Sequence, residues 1–114
     1  FDTLVEYLAI CDYLLLPLKD NIANKGRWPS KICDYLAAGR PIIATRVGDI
    51  VDLFKNNIGY LSNDNPQEFS KTIINAFNNK DSMLLGNNAR RIAENNLSWE
   101  ILTNDLEKFY DKLR

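Results

Sequence analysis

Histidine is absent from this 114-residue chain, cysteine occurs twice and methionine once. Without histidine, a Ser-His-Asp or Cys-His nucleophilic arrangement has no base. A zinc site drawn from this chain alone lacks its ligands, so no metal is expected. Cys11 and Cys33 stand in apolar sequence surroundings and are expected to be buried, reduced thiols. Charge is not in excess either, with 14 basic against 15 acidic residues and a net charge of −1. That balance makes no electrostatic case for nucleic acid or an anionic membrane as partner. Long apolar runs are missing: Tyr13 to Leu18 is far too short to span a bilayer. The chain has no Gly-x-Gly-x-x-Gly, no Walker-type glycine loop and no Asp-x-Asp. Those absences disfavour a self-contained phosphoryl-transfer site and an Asp-x-Asp metal site. Internal repeats, low-complexity tracts and linkers are also lacking.

What remains is ample core material. Hydrophobic residues make up 46% of the chain, too many for a disordered segment. The length fits one domain or part of one. No signal peptide is visible and the chain starts at Phe1, so residues 1–114 are expected to be one domain truncated at its N-terminal side.

The apolar positions Leu4, Val5, Leu8 and Ala9 give helical spacing over Asp2 to Ile10. The run Tyr13 to Leu18 suits a strand buried on both faces, as in parallel sheets. Lys19 to Trp28 reads as a loop. A short helix follows from about Ser30 to Ala38, marked by Pro29 and Ser30 at its start and ended by Gly39 in the left-handed conformation. Pro41 prevents continuation, and a strand runs to Thr45. A short helix over Ile50 to Lys55 is broken by Asn56-Asn57, and Ile58 to Leu61 is a third strand. Asn65 caps the next helix, with Pro66 at its first position and Glu68 reaching back. Phe69, Ile73 and Phe77 form its apolar stripe. Another helix covers Ser82 to Glu94, with Leu85, Ala89, Ile92 and Ala93 inward. Ser98 caps the last helix, whose apolar positions are Leu102, Leu106, Phe109, Tyr110 and Leu113, with Trp99 as packing.

Strands alternating with helices imply βαβ units and a parallel sheet of about three strands. Ligands in such sheets lie outside the carboxyl ends of the strands. Those ends are the loops Lys19 to Trp28, Arg46 to Asp49 and Ser62 to Asp64, and the start of the Ser30 helix opens onto the same edge. Lys31 and Asp34, three residues apart, share a helix face there. Asp34 is either a solvated acid paired with Lys31, worth roughly 0.3–0.5 kcal/mol, or an acceptor for ribose hydroxyls. Lys31 is either half of that ion pair or, with Arg27 and Ser30, a phosphate clamp beside free N–H groups. Gly48 either makes a tight turn or lets a phosphate or sugar approach the backbone. Trp28 is either a lid on the core or a stacking surface.

These residues carry a resemblance. An apolar strand ending in Leu-Pro is followed by Ser-Lys-x-x-Asp-Tyr-x-Ala-x-Gly-x-Pro-Ile-Ile-Ala-Thr and a Gly turn. A Gly-Tyr-Leu strand, an Asn-Pro-Gln-Glu-Phe helix and a Ser-Trp helix come after. The order resembles the C-terminal part of a group-1 retaining glycosyltransferase of GT-B architecture, across nearly the whole chain. The resemblance implies a partial Rossmann-like domain that holds a nucleotide-sugar donor, which is a substrate, with no cofactor or bound metal required. It places Asp34 where the family has its second glutamate, and Gly26 where the first would stand. Gly48 matches the first glycine of a Gly-Gly turn, with Asp49 in place of the second. Donor nucleotide-binding residues are therefore expected to be Arg27, Ser30, Lys31, Asp34 and Gly48. The family's catalytic basic residues and its N-terminal acceptor domain fall upstream of Phe1, so this chain alone is expected to be inactive. The parent is expected to transfer sugar with retention in polysaccharide or glycoconjugate synthesis, in the cytoplasm or peripheral to the inner membrane. Two other readings stay open: a non-catalytic interaction module of similar fold, and a GT-B nucleotide-sugar isomerase.

Overall fold

The computed structural model describes residues 2–114; Phe1, first residue of the expected domain, lies outside the described residues. Three strands, β1 (Leu14–Leu16), β2 (Ile42–Thr45) and β3 (Gly59–Ser62), form one sheet in the order β1-β2-β3. Both pairings are parallel, with Leu14, Ile42 and Gly59 in register. Helix α1 (Asp2–Ile10) precedes β1. Helices α2 (Ile22–Lys25) and α3 (Lys31–Ala38) lead from β1 to β2, and α4 (Ile50–Leu53) with a 3₁₀ turn leads to β3. Then come α5 (Pro66–Asn78), α6 (Ser82–Asn96) and α7 (Trp99–Leu113). The result is an α/β layered structure, a partial Rossmann-like arrangement, as the alternation of elements implies.

Period-two alternation assigns the two sheet faces. On one face Leu16, Ile42 and Ala44 pack with Ile32 and Leu36 of α3, Ile50 of α4, Ala89 of α6, and Ile58 just before β3. Ile32 and Leu36 are fully buried because they sit one helical turn apart on α3. The other face carries Leu15, Ile43 and Tyr60 in one register row, with α5 against β2 and β3. β2 is the central strand and buries all four residues.

Gly39 ends α3 at φ 66°, a value that strains any side chain. α6 comes very close there: a Cβ on Gly86 would collide with the Gly39 carbonyl oxygen. Arg90 donates to the Ala37 carbonyl and through Nε to Glu94 (2.7 Å). These contacts fasten the end of α3 to α6.

Several local expectations are corrected. β1 is shorter than Tyr13 to Leu18 and is not buried on both faces, since Leu15 is 42% exposed at the sheet edge. The Lys19–Trp28 segment contains α2, capped by the Asn21 side chain accepting from the Asn24 N–H (2.9 Å). The apolar and polar alternation of four residues is too short to reveal such a helix. The Ile50 to Lys55 helix breaks into α4 and a 3₁₀ turn over Phe54–Asn56, before Asn57 at φ 56°. Asn65 caps α5 as expected, but Glu68 takes the Asn63 side-chain amide (2.7 Å) instead of reaching back to Asn65. Phe77 is exposed and tilts against Tyr13, ring centroids 4.9 Å apart, while Ala76 is the buried residue of α5.

The thiols are not buried: Cys33 is exposed, because it lies about 100° round α3 from the core-facing Ile32. Cys11 is half-buried, and both thiols are free. α7 has no buried residue, and Trp99 is 84% exposed. Its stripe Leu102, Leu106, Phe109, Tyr110 and Leu113 is exposed throughout. α7 projects from the body, which explains a radius of gyration of 15.5 Å, against about 13 Å for a compact chain of this length.

Candidate functional site

Parallel pairing puts the loops after β1, β2 and β3 on one edge, and specific bonds tie them together. The Thr45 hydroxyl, at the end of β2, accepts from the Leu18 N–H (2.7 Å) and donates to the Leu18 carbonyl (2.6 Å). The Asp64 carboxylate accepts from the Asp20 N–H (2.7 Å), and the Arg46 N–H donates to the Ser62 carbonyl (2.7 Å). Asp20 also pairs with Lys25 at 2.8 Å. This carboxyl edge is the position at which α/β sheets bind ligands.

The edge cleft beside α3 measures about 320 Å³; a second opening of about 460 Å³ lies at the same edge between Thr45, Asp64 and α5, and a cavity of about 360 Å³ lies elsewhere. The edge cleft has a floor of Leu15 to Leu18 and a wall of Arg27, Pro29, Ser30 and Lys31. Pro29 is buried and anchors that wall. Arg27 is steadied by an Nε–H donation to the Asn24 side chain (2.9 Å). Neither Arg27 nor Lys31 has a carboxylate within 4 Å among the described residues. Two uncompensated cations thus stand at one helix mouth, a setting that favours an anion.

The helix start differs from the expected cap. Ser30 has helical backbone angles and its side chain makes no capping bond. The Ile32 and Cys33 N–H groups already donate to the Pro29 and Ser30 carbonyls (3.0 and 3.1 Å). The Ser30 and Lys31 N–H groups have no protein acceptor among the described residues, and the Ser30 hydroxyl is exposed beside them.

Lys31 and Asp34 do not form the expected ion pair among the described residues. They sit about 60° apart around α3 and their side chains line separate cavities. Asp34 opens into the 360 Å³ cavity between α1 and α3. Leu4, Val5, Leu8 and Ala9 supply its α1 wall, Ala37 and Ala38 its α3 wall, and Arg90 enters from α6. Tyr35, next to Asp34, donates to the Leu15 carbonyl (3.1 Å). Burial, with Cys11 and Asp34 adding, raises the Tyr35 pKa, so its hydroxyl stays protonated as a donor.

Gly48 adopts φ 71°, and the space a Cβ would occupy lies 3.0 Å from the Asn24 carbonyl of α2. That side of the turn is crowded by α2, so glycine is required there. Trp28 is 43% exposed, its indole N–H 3.5 Å from Cys33 Sγ. The structure therefore brings Arg27, Ser30 and Lys31 together, with Asp34 one turn along the same helix and Gly48 across α2.

Sequence reading missed Arg90, the α1 wall and Thr45. Arg90 is remote in sequence from Asp34, and only the Gly39–Gly86 close approach brings α6 beside α3. Thr45 carried a detectable signal, a hydroxyl in a strand buried on both faces. Among the described residues, no group of three or more His, Cys, Asp or Glu side chains is placed to hold a metal ion. Among the described residues, no helix is long and apolar enough to cross a membrane.

A family model described as glycosyl transferases group 1 matches residues 1–79, a stretch that includes the floor and the wall of the edge cleft. The chain is also 25% identical over 120 aligned residues to an uncharacterized glycosyltransferase of Methanocaldococcus jannaschii. That alignment covers 99% of this chain and 31% of the relative, so the chain spans about a third of the length of the curated protein it matches. No solved structure matches.

Proposed function

The chain belongs to the group 1 glycosyl transferases, and we propose that it forms the donor-holding part of a retaining enzyme of GT-B architecture. The nucleoside diphosphate of the donor lies along α3. Its phosphates take Arg27, Lys31, the Ser30 hydroxyl and the unpartnered N–H groups at the helix start. Its ribose hydroxyls donate to Asp34, a carboxylate able to accept both. Axial rise places Asp34 about 4.5 Å below Lys31, the step from a diphosphate to its ribose.

The single observation that carries this reading is the pair of uncompensated cations at the carboxyl edge, inside the family match. Holding the diphosphate there stabilises the leaving group as negative charge develops on it, and fixes the donor for attack. The acceptor side, the remaining cationic groups and the chemistry belong to a part of the parent protein beyond this chain. Alone, the chain binds donor without consuming it. No divalent ion is needed, so chelation leaves nucleotide affinity unchanged. The parent reaction serves polysaccharide or glycoconjugate synthesis.

The test is titration of the chain with UDP, GDP and ADP while amide shifts are followed. Perturbation centred on Ser30 to Asp34 is expected. Lys31→Ala should weaken affinity about tenfold, the loss of one charge-assisted contact. Silence of these amides at millimolar nucleotide overturns the reading. One observation favours a second role, as an interaction module: the uncovered apolar stripe of α7. Donor turnover by the full-length parent separates the two.

A further inference from the structure

The cavity between α1 and α3 has a simple polar inventory. Among the described residues, Asp34 and Arg90 are the only charged side chains lining it; the other lining side chains are apolar. An ionised carboxylate only accepts and a guanidinium only donates. A fitting ligand therefore presents donors at one end, acceptors at the other and flat apolar faces between them. A nucleoside has this pattern: ribose hydroxyls, then a planar base with acceptors on its edge.

We infer that this cavity takes the base of the donor, and that Arg90 selects a 6-oxopurine there. The inference rests on the donor-holding reading given above. Phosphates at Lys31 and ribose at Asp34 direct the base down α3, toward Ala37 and Ala38, one further turn along. Arg90 stands at that level, fixed by its bonds to the Ala37 carbonyl and the Glu94 carboxylate. Those two bonds use one N–H of Nη1 and the N–H of Nε. The remaining three N–H groups, two on Nη2 and one on Nη1, have no acceptor among the described residues. They form an end-on fork held by anchors on two helices.

Such a fork pairs with two adjacent acceptors. Guanine offers O6 and N7 side by side, and a bidentate arginine matches them. Adenine presents an amino donor beside N7, which meets the fork donor to donor. Uracil offers one carbonyl beside an N–H or a C–H and is held by a single bond. Arg90 is a specificity residue on this view. The side chain is about half exposed, which places its discrimination at the low end of what bidentate contacts give, about tenfold.

Affinities of the 114-residue chain for GDP, IDP, ADP and UDP, measured by amide-shift titration, test this. IDP keeps O6 and N7 but lacks the 2-amino group. GDP and IDP are expected to bind alike and about tenfold tighter than ADP, with UDP between them. Arg90→Lys, which keeps the charge but not the fork, should bring GDP and ADP to parity. Equal wild-type affinities for IDP and ADP overturn the inference while leaving the donor site standing, and that comparison needs no variant. A GDP preference that survives Arg90→Lys also overturns it. If none of the four nucleotides binds, the donor-holding reading falls and takes this one with it.

Discussion

Thr45→Val changes one atom and strikes the joint between the strands and the cleft. Thr45 is 3% exposed, and its hydroxyl serves both backbone groups of Leu18, itself 6% exposed. Valine keeps the shape and leaves the Leu18 N–H and carbonyl without partners. A buried backbone group stripped of its bond costs about 1–3 kcal/mol. The new methyl returns about 0.8 kcal/mol. With two groups stripped, a net loss of about 1–5 kcal/mol follows, large against a total stability of about 5–15 kcal/mol. Thr45→Ser keeps both bonds, removes one buried methyl, and should cost about 1 kcal/mol. Urea unfolding followed by circular dichroism reads the order wild type, serine, valine, with the midpoint falling and the slope unchanged. Leu18 also closes the floor of the cleft below Lys31, so the valine variant should bind nucleotide more weakly under native conditions. A valine variant within about 0.5 kcal/mol of wild type, the ordinary range of a neutral surface change, or one more stable than serine, refutes the argument.

Other expectations follow from packing and titration. Gly86→Ala should destabilise by about 1–2 kcal/mol despite gaining about 1 kcal/mol of helix propensity, because its Cβ meets the Gly39 backbone. A rise in thermal midpoint would show that α6 can back away freely. Tyr60 donates to Asp81 at 2.6 Å, and burial, then that bond, raises its pKa above the ordinary 10.0. The folded state therefore holds this proton more tightly than the unfolded state. The associated stability is present below pH 10 and is lost as pH climbs through the raised value. Tyr60→Phe should flatten that alkaline decline; an unchanged decline would assign it to Tyr13 and Tyr35, whose pKa values are also raised by burial. Trp99→Ser and Leu106→Ser should each change stability by less than about 1 kcal/mol, since both side chains are exposed. Losses of core size, several kcal/mol, would mean that α7 is covered in solution.

Legibility in the sequence tracked how local each signal was. Gly39 followed by Pro41 marks the end of α3 through backbone sterics alone, and Asn65-Pro66 marks the start of α5 through capping alone. Both stand where expected. Helical periodicity also located α1, α6 and α7. It did not reveal what covers them. The Leu102–Leu113 stripe reads like any core-facing helix, yet it is exposed, because periodicity reports a face and not a partner. The Lys31/Asp34 spacing of three similarly reported a shared helix side. Whether the charges meet depended on what packs to either side of α3.

The sequence by itself determined the α/β order, the parallel sheet, the helix mouth at the carboxyl edge and the residues Arg27, Ser30, Lys31 and Asp34 that stand along it. Those follow from turn chemistry and from alternation over a few residues. Tertiary structure decided that Lys31 and Asp34 look into different cavities, that α2 crowds the Cβ side of Gly48, and that Arg90 reaches Asp34's cavity from α6. These outcomes depend on contacts between residues far apart in the chain, set by the close approach of Gly86 to Gly39 and by the Thr45–Leu18 bonds. No local pattern encodes such approaches, because their energy resides in the fit between elements and not within any one of them.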